Sequence, residues 1–308
     1  MSAAIIGAGS VGSTIASFMI QGGKFHEILM VDVNKSRCEG EVMDLNDAGF
    51  TTDTSVRMGD FKDCAKCSIV IITAGAKQRS GETRRALLKR NVKILKSICK
   101  SILPLSPSTM VLLVANPVDI LTQIFQKISG LPKEQVMGSG TYLDTMRLRT
   151  ALSKRFNVAA SHVHAQVIGM HGDLQMAVWS KSTIAGIPIP EYDNKGLTQG
   201  DMDKMAQWTK DKAYKIIQAK GSTYYGIAAC VTKISAGILQ DRHQVFQLSC
   251  YHEGYGSYLS WPALVGRSGV VRLMPLQLTG EEIAHVKKAA EHVTKGANEA
   301  LLESVSKL

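Results

Sequence analysis

Residues Ala3–Gly12, Ala-Ala-Ile-Ile-Gly-Ala-Gly-Ser-Val-Gly, restrict this chain to few folds. The apolar start predicts a buried strand, the glycines a tight turn, and Val11 to Ile20 a helix. In a G-x-G-x-x-G of this setting, Gly7 makes the turn and Gly9 lets backbone approach a pyrophosphate. Gly12 lets the helix pack on the strand. Unpaired N–H groups at the helix start, around Val11, then face the phosphates. A second apolar strand, Ile28-Leu-Met-Val, ends in Asp32, 20 positions after Gly12. A carboxylate there hydrogen-bonds both hydroxyls of an adenine ribose and repels a 2′-phosphate, which predicts NAD rather than NADP.

The rest of the first half continues the alternation. A helix is expected from Ser36 to Leu45, a strand from Ser55 to Met58, and a strand in Ser68-Ile-Val-Ile-Ile-Thr-Ala-Gly75. The continuous β-branched run suits a strand buried on both faces of a parallel sheet. The polar stretch Ala76 to Arg85 suits a lid. A helix from Thr83 to Leu103, a strand from Thr109 to Asn116, a helix from Ile120 to Ser129 and a short strand, Gln135 to Gly138, follow. This order predicts a doubly wound parallel sheet with right-handed crossovers.

Past Gly140 the pattern turns mixed. Helices are expected over Tyr142 to Phe156, Leu197 to Ala219 and Thr223 to Leu239. β segments are expected over Val163 to Ile168, Ala177 to Lys181, Ile184 to Pro188 and Gln244 to Pro275. A closing helix starts at the cap Thr279-Gly-Glu-Glu282. The reading is α/β: a Rossmann domain over residues 1–139, then an α+β substrate domain over residues 140–308.

Composition narrows the function classes. Excess Lys and Arg give a net charge of +10, a field that attracts anions. The basic residues are scattered without aromatic interleaving, which argues for small acids and against nucleic acid. No apolar run is long enough to span a bilayer, and the strand-like N-terminus leaves no room for a signal peptide. Cys64-Ala-Lys-Cys67 has half-zinc spacing but no second Cys/His pair, so reduced thiols and no metal are expected. The terminal Ser306-Lys307-Leu308 reads as an address for a peroxisome-like organelle, with a cytoplasmic location as the alternative.

Chemistry concentrates between Gly138 and Asp173. Asp144 and Arg147 are three apart and share a helix face, and His171 follows the apolar Val167-Ile168. Together they can orient a base, hold an acid and move a proton. A surface ion pair and an unrelated loop histidine would leave the same pattern.

Along nearly its whole length the chain resembles the L-lactate dehydrogenases of the lactate/malate dehydrogenase family. The resemblance is carried by Gly7–Gly12, Asp32, Thr73-Ala74-Gly75-Ala76, Gly81–Arg84, Val114–Pro117, Ser139–Asp144 with Arg147, and Gly169-Met-His171-Gly-Asp173. It implies that Thr73, Ala74 and Gly75 border the cofactor and that Asn116 bonds near the nicotinamide and the reacting oxygen. His171 would pass its proton to the carbonyl oxygen of a 2-oxo acid, with Asp144 fixing its tautomer. Arg147 would clamp the substrate carboxylate and Arg84, on the lid, would polarise the carbonyl. Gln78, where malate dehydrogenases carry arginine, and Thr223 in the pocket wall imply pyruvate rather than oxaloacetate. Malate or larger 2-oxo acids are the alternative substrates, and a non-catalytic dinucleotide binder is the alternative class. Met170, Leu174 and the segment Gln244 to Gly256 depart from the family pattern. The resemblance further implies a homodimer or homotetramer. Arg149 and His164 match positions that bind a sugar bisphosphate between subunits in some bacterial relatives.

Overall fold

Strand β1 (Ser2–Ile6) runs into the glycine turn and helix α1 (Ser10–Gly22). A Cβ on Gly12 would stand 1.8 Å from the Gly7 carbonyl oxygen, so only glycine lets the helix settle on the strand end. Gly12→Ala is therefore expected to cost on the order of 2–4 kcal/mol of stability and to weaken dinucleotide binding. Denaturant unfolding and a fluorescence titration with NADH would register both, and an unchanged midpoint would mean the helix shifts freely.

The structure, a computed structural model, describes residues 1–76, 81–192 and 197–305. Gln78 and the terminal Ser306-Lys307-Leu308 lie outside the described residues. After α1 come β2 (Glu27–Val31), α2 (Lys35–Ala48), β3 (Ser55–Met58), β4 (Ile69–Ile72), α3 (Arg84–Ile102), β5 (Met110–Leu113), α4 (Val118–Ser129) and β6 (Val136–Gly138). The strands stand side by side as β3-β2-β1-β4-β5-β6, all parallel. All four residues of β4 and of β5 are buried, because helices cover both faces. Alternate residues feed two cores: Ala3, Ile5, Ile28 and Met30 join one, while Ala4, Ile6, Leu29 and Val31 join the other.

The second half comprises α5 (Tyr142–Phe156), β7 (Val163–His164), β8 (Val167–Gly169), β9 (Gln175–Ala177), β10 (Thr183–Ile184), β11 (Ile187–Pro188), α6 (Ile189–Tyr192), α7 (Gln199–Lys220), α8 (Tyr225–Leu239), β12 (Gln244–His252), β13 (Ser257–Gly266), β14 (Gly269–Leu273) and α9 (Gly280–Val305). Apart from a small sheet of β7, β10 and β11, its strands extend the first sheet. β12 pairs antiparallel with β6 at Ser249 and Gly138, and β13, β8, β9 and β14 extend the same sheet. Among the described residues that sheet has 11 strands. Gly140 sits at φ 53°, where an added Cβ would come within 2.6 Å of the Ser249 nitrogen. This turn sends the chain straight from the sheet into α5, the helix of Asp144 and Arg147.

The expected strand Val163 to Ile168 is two strands in two sheets. β7 joins β10 and β11, while β8 joins β13 and β9. Helix α5 and its N-cap Thr141 explain the break, because their side chains bond the backbone from Ala165 to Val167. Arg149 donates to the Ala165 carbonyl (2.9 Å), Thr145 accepts the Val167 N–H (3.0 Å), and Thr141 donates to the Val167 carbonyl (2.5 Å). The expected β segment from Ala177 to Lys181 likewise ends at Ala177, and Trp179–Lys181 is a 3₁₀ turn. No described helix is long and apolar enough to cross a membrane.

Candidate active site

The residues expected to cradle the nucleotide meet where β1, β2 and β4 end. Asp32 accepts the Ala8 N–H with one oxygen (2.7 Å) and the Asn34 N–H with the other (2.9 Å), which fixes its carboxylate against the glycine turn. Thr73 donates its hydroxyl to the carbonyls of Ile6 and Gly7, which ties the ends of β4 and β1 together. No side chain caps α1, and nothing lies within 4 Å of where a Gly9 Cβ would stand. Open N–H groups, a bare glycine and a placed acidic side chain fit a dinucleotide's pyrophosphate and ribose.

Asn91, not among the residues expected from the sequence, ties this edge to the next. It is buried in α3, accepts the Ala76 N–H (2.7 Å) and donates to the Asn116 carbonyl (2.7 Å). Its signal was an amide set among the apolar positions of an amphipathic helix. Gly75 packs closely in the same corner, its Cβ position 3.2 Å from Ala115.

Helix α5 and the loop after β8 bring the three chemical side chains together. His171 Nδ1 lies 2.7 Å from Asp144 Oδ2, and Arg147 donates to Asp144 Oδ1 (3.2 Å). Asp144 and Arg147 are buried, whereas the His171 side chain is 28% exposed and so reachable by a substrate. Burial pushes the Asp144 carboxyl up, but His171 and Arg147 outweigh it and hold the group below the usual carboxylate range. Burial presses His171 toward neutrality, yet the Asp144 charge and hydrogen bond win and raise its pKa above 6.5. Gln175 braces the loop by accepting the Gly172 N–H (3.1 Å). Met170 and Leu174, the apolar departures beside the histidine, pack against the core.

Arg84 opens α3 and reaches the same loop. Its guanidinium pairs with Asp173 and lies 3.4 Å from the Tyr214 hydroxyl on α7, while Lys210 donates to the Asp173 carbonyl (3.4 Å). The Arg84 hydrogen bond holds the Asp173 carboxyl below its ordinary range. Thr223 sits half-buried between α7 and α8. The structure does not join Arg149 and His164 by a hydrogen bond. Arg149 is turned onto the Ala165 carbonyl, and His164 is exposed on β7. All six cysteines are free and buried, and burial pushes the Cys64 thiol up to about 12. Among the described residues no cluster could hold a metal ion.

Residues 1–138 match the family profile "lactate/malate dehydrogenase, NAD binding domain", and residues 141–303 match "lactate/malate dehydrogenase, alpha/beta C-terminal domain". The chain belongs to the lactate/malate dehydrogenase family. It is 42% identical over 300 residues to an L-lactate dehydrogenase of Clostridium perfringens, covering 95% of this chain and 94% of that one. It is likewise 42% identical to L-lactate dehydrogenase A of Rhizopus oryzae, over 94% and 89% of the two chains. The crystal structure of the minor L-lactate dehydrogenase of Enterococcus mundtii superposes with a TM-score of 0.93 at 35% identity, over 97% of this chain and 98% of that one. This member of the family is an NAD-dependent 2-hydroxy acid dehydrogenase built on a Rossmann fold with an α/β C-terminal half.

Proposed function

We propose that this dehydrogenase interconverts pyruvate and L-lactate through a proton relay of His171 and Asp144. The observation that carries the reading is the chain His171–Asp144–Arg147, a titratable ring, a buried carboxylate and a guanidinium in contact. NADH, when bound, supplies the hydride to the carbonyl carbon and NAD accepts it in reverse. His171 in its protonated form gives its ring proton to the carbonyl oxygen, and in its neutral form takes the hydroxyl proton back. Asp144 keeps the proton on Nδ1, which leaves Nε2 to face the substrate. Arg147 keeps one nitrogen on Asp144 and offers its remaining donors to the substrate carboxylate. Arg84 leaves Asp173 to polarise the carbonyl as the site closes. Asn116 bonds near the reacting oxygen, and Thr223 with Gln78 sets a pocket without a second cation for oxaloacetate.

The raised pKa of His171 sets the pH dependence. Pyruvate reduction needs the protonated ring, so kcat/KM should hold at low pH and fall as pH rises through a value above 6.5. Lactate oxidation needs the neutral ring and should fall as pH drops through the same region. Parallel pH–rate profiles in the two directions measure this, and limbs that run the same way in both would sink the relay.

A kinetic panel of pyruvate, oxaloacetate and a branched 2-oxo acid tests the substrate, with pyruvate expected to turn over fastest. Faster oxaloacetate would place the enzyme with the malate dehydrogenases. Repeating the panel with millimolar sugar bisphosphate tests Arg149 and His164 as half of an anion site between subunits. An unchanged activity–pyruvate curve removes that part of the proposal. A homodimer or homotetramer is supported by apolar side chains left in the open, with Phe50 88% and Met43 61% exposed. Light scattering reads the mass directly. A peroxisome-like location rests on Ser306-Lys307-Leu308 alone, and the relatives lend it no support. A fluorescent fusion whose distribution ignores removal of that tripeptide would retire it.

A further inference from the structure

Asp119 is a charged residue in a place that is costly for charge. It lies in the first turn of α4 at 1% exposure, three positions after Asn116. An acid there would ordinarily cap the helix or answer its dipole. Here neither oxygen does so. Oδ2 accepts the backbone N–H of His171 (2.8 Å), and Oδ1 accepts the hydroxyl of Ser260 on β13 (2.9 Å). Both oxygens are spent on the catalytic loop and on the strand behind it. Ser260 is paired with Gly169, two residues before His171, so the carboxylate and the sheet grip the loop together.

We propose that Asp119 is a positioning residue for proton transfer, fixing the backbone of His171 and setting a second buried negative charge beside it. This rests on reading His171 as the proton donor. The groups facing the histidine are Asp144 and Arg147 from α5 and Asp119 from α4. Facing Asp119 from β12 is the Cys250 thiol, which burial keeps neutral. With His171 protonated, two carboxylates balance two cations. With it neutral, the buried cluster carries one uncompensated negative charge, which favours keeping the proton. Burial pushes the Asp119 carboxyl up, while the His171 N–H and the hydroxyls of Ser249 and Ser260 favour its charged form. Its charge in turn adds to the Asp144 effect in raising His171.

The test compares Asp119→Asn with the parent enzyme in both reaction directions. The asparagine keeps an acceptor for the His171 N–H and removes the charge. The limb assigned to His171 should move down by roughly half to one pH unit in both profiles. At the optimum, kcat should fall severalfold while KM for pyruvate stays within about twofold. Ser260→Ala, which keeps the carboxylate but takes away one donor, should move the limb the same way by less. If Asp119→Asn does not fold, Ser260→Ala decides alone, and a limb left in place overturns the proposal. His171→Asn in the same buffers separates the two ideas. Full activity there removes the reading of His171 itself, whereas an inactive His171→Asn with unmoved Asp119→Asn and Ser260→Ala limbs removes only the role of Asp119.

Discussion

Replacing His171 with asparagine is expected to lower kcat by roughly 10²–10⁴-fold in both directions, the range general acid–base catalysis contributes. Asparagine occupies nearly the same volume and can still donate to Asp144, so the loop should keep its shape. What it lacks is a proton that can leave and return near neutral pH. NADH affinity, read by fluorescence, should stay within about twofold of the parent, because the cradle proposed from Gly7 to Gly12, Asp32 and Thr73 lies on other elements. A parent-like kcat would remove His171 from the chemistry and leave the family relationship to be explained by another acid.

Arg147→Lys should cost about 10²–10³ in kcat/KM for pyruvate. The guanidinium holds Asp144 with one nitrogen and has a fixed fork of further donors, whereas an ammonium is a single point that must choose between Asp144 and the substrate. Arg147 is 7% exposed, so a lysine there meets its partners without water to make up the lost bonds. Most of the loss should appear in KM if the clamp binds substrate and transition state alike, and in kcat if it aligns the carbonyl under His171. A change smaller than about threefold would mean that the substrate carboxylate is held elsewhere.

Much of this was legible in the chain because each part is a local rule. Glycine spacing, an acidic strand end and β-branched runs each depend on a few neighbours, and the parallel half formed as read, with ends shifted by a residue or a few. The helix Tyr142–Phe156 begins and ends where its sequence pattern does. Partnerships between distant segments were less legible. Asp119 stands 52 positions from His171, and nothing in Pro117-Val-Asp119-Ile says that its carboxylate reaches a loop so far along the chain. Asn91 was hidden in the same way, as one amide on an otherwise ordinary helix. The break at Ala165 has no local signal, because the apolar pattern of Val163 to Ile168 is continuous, while the bonds that divide it come from side chains on α5. Arg149 is committed to a backbone carbonyl within its own subunit.

The pairing of β6 with β12 has a mechanical consequence. The glycine turn and Asp32, assigned here to the hydride carrier, and the helix and loop assigned to the acceptor hang from one hydrogen-bonded sheet that passes through Gly138 and Ser249. Misplacing reacting atoms by about 1 Å can cost on the order of a hundredfold in rate. A joint at the middle of the molecule would spend that tolerance on every thermal fluctuation. By running the strands straight across, the chain makes the two proposed seats parts of a single ruler.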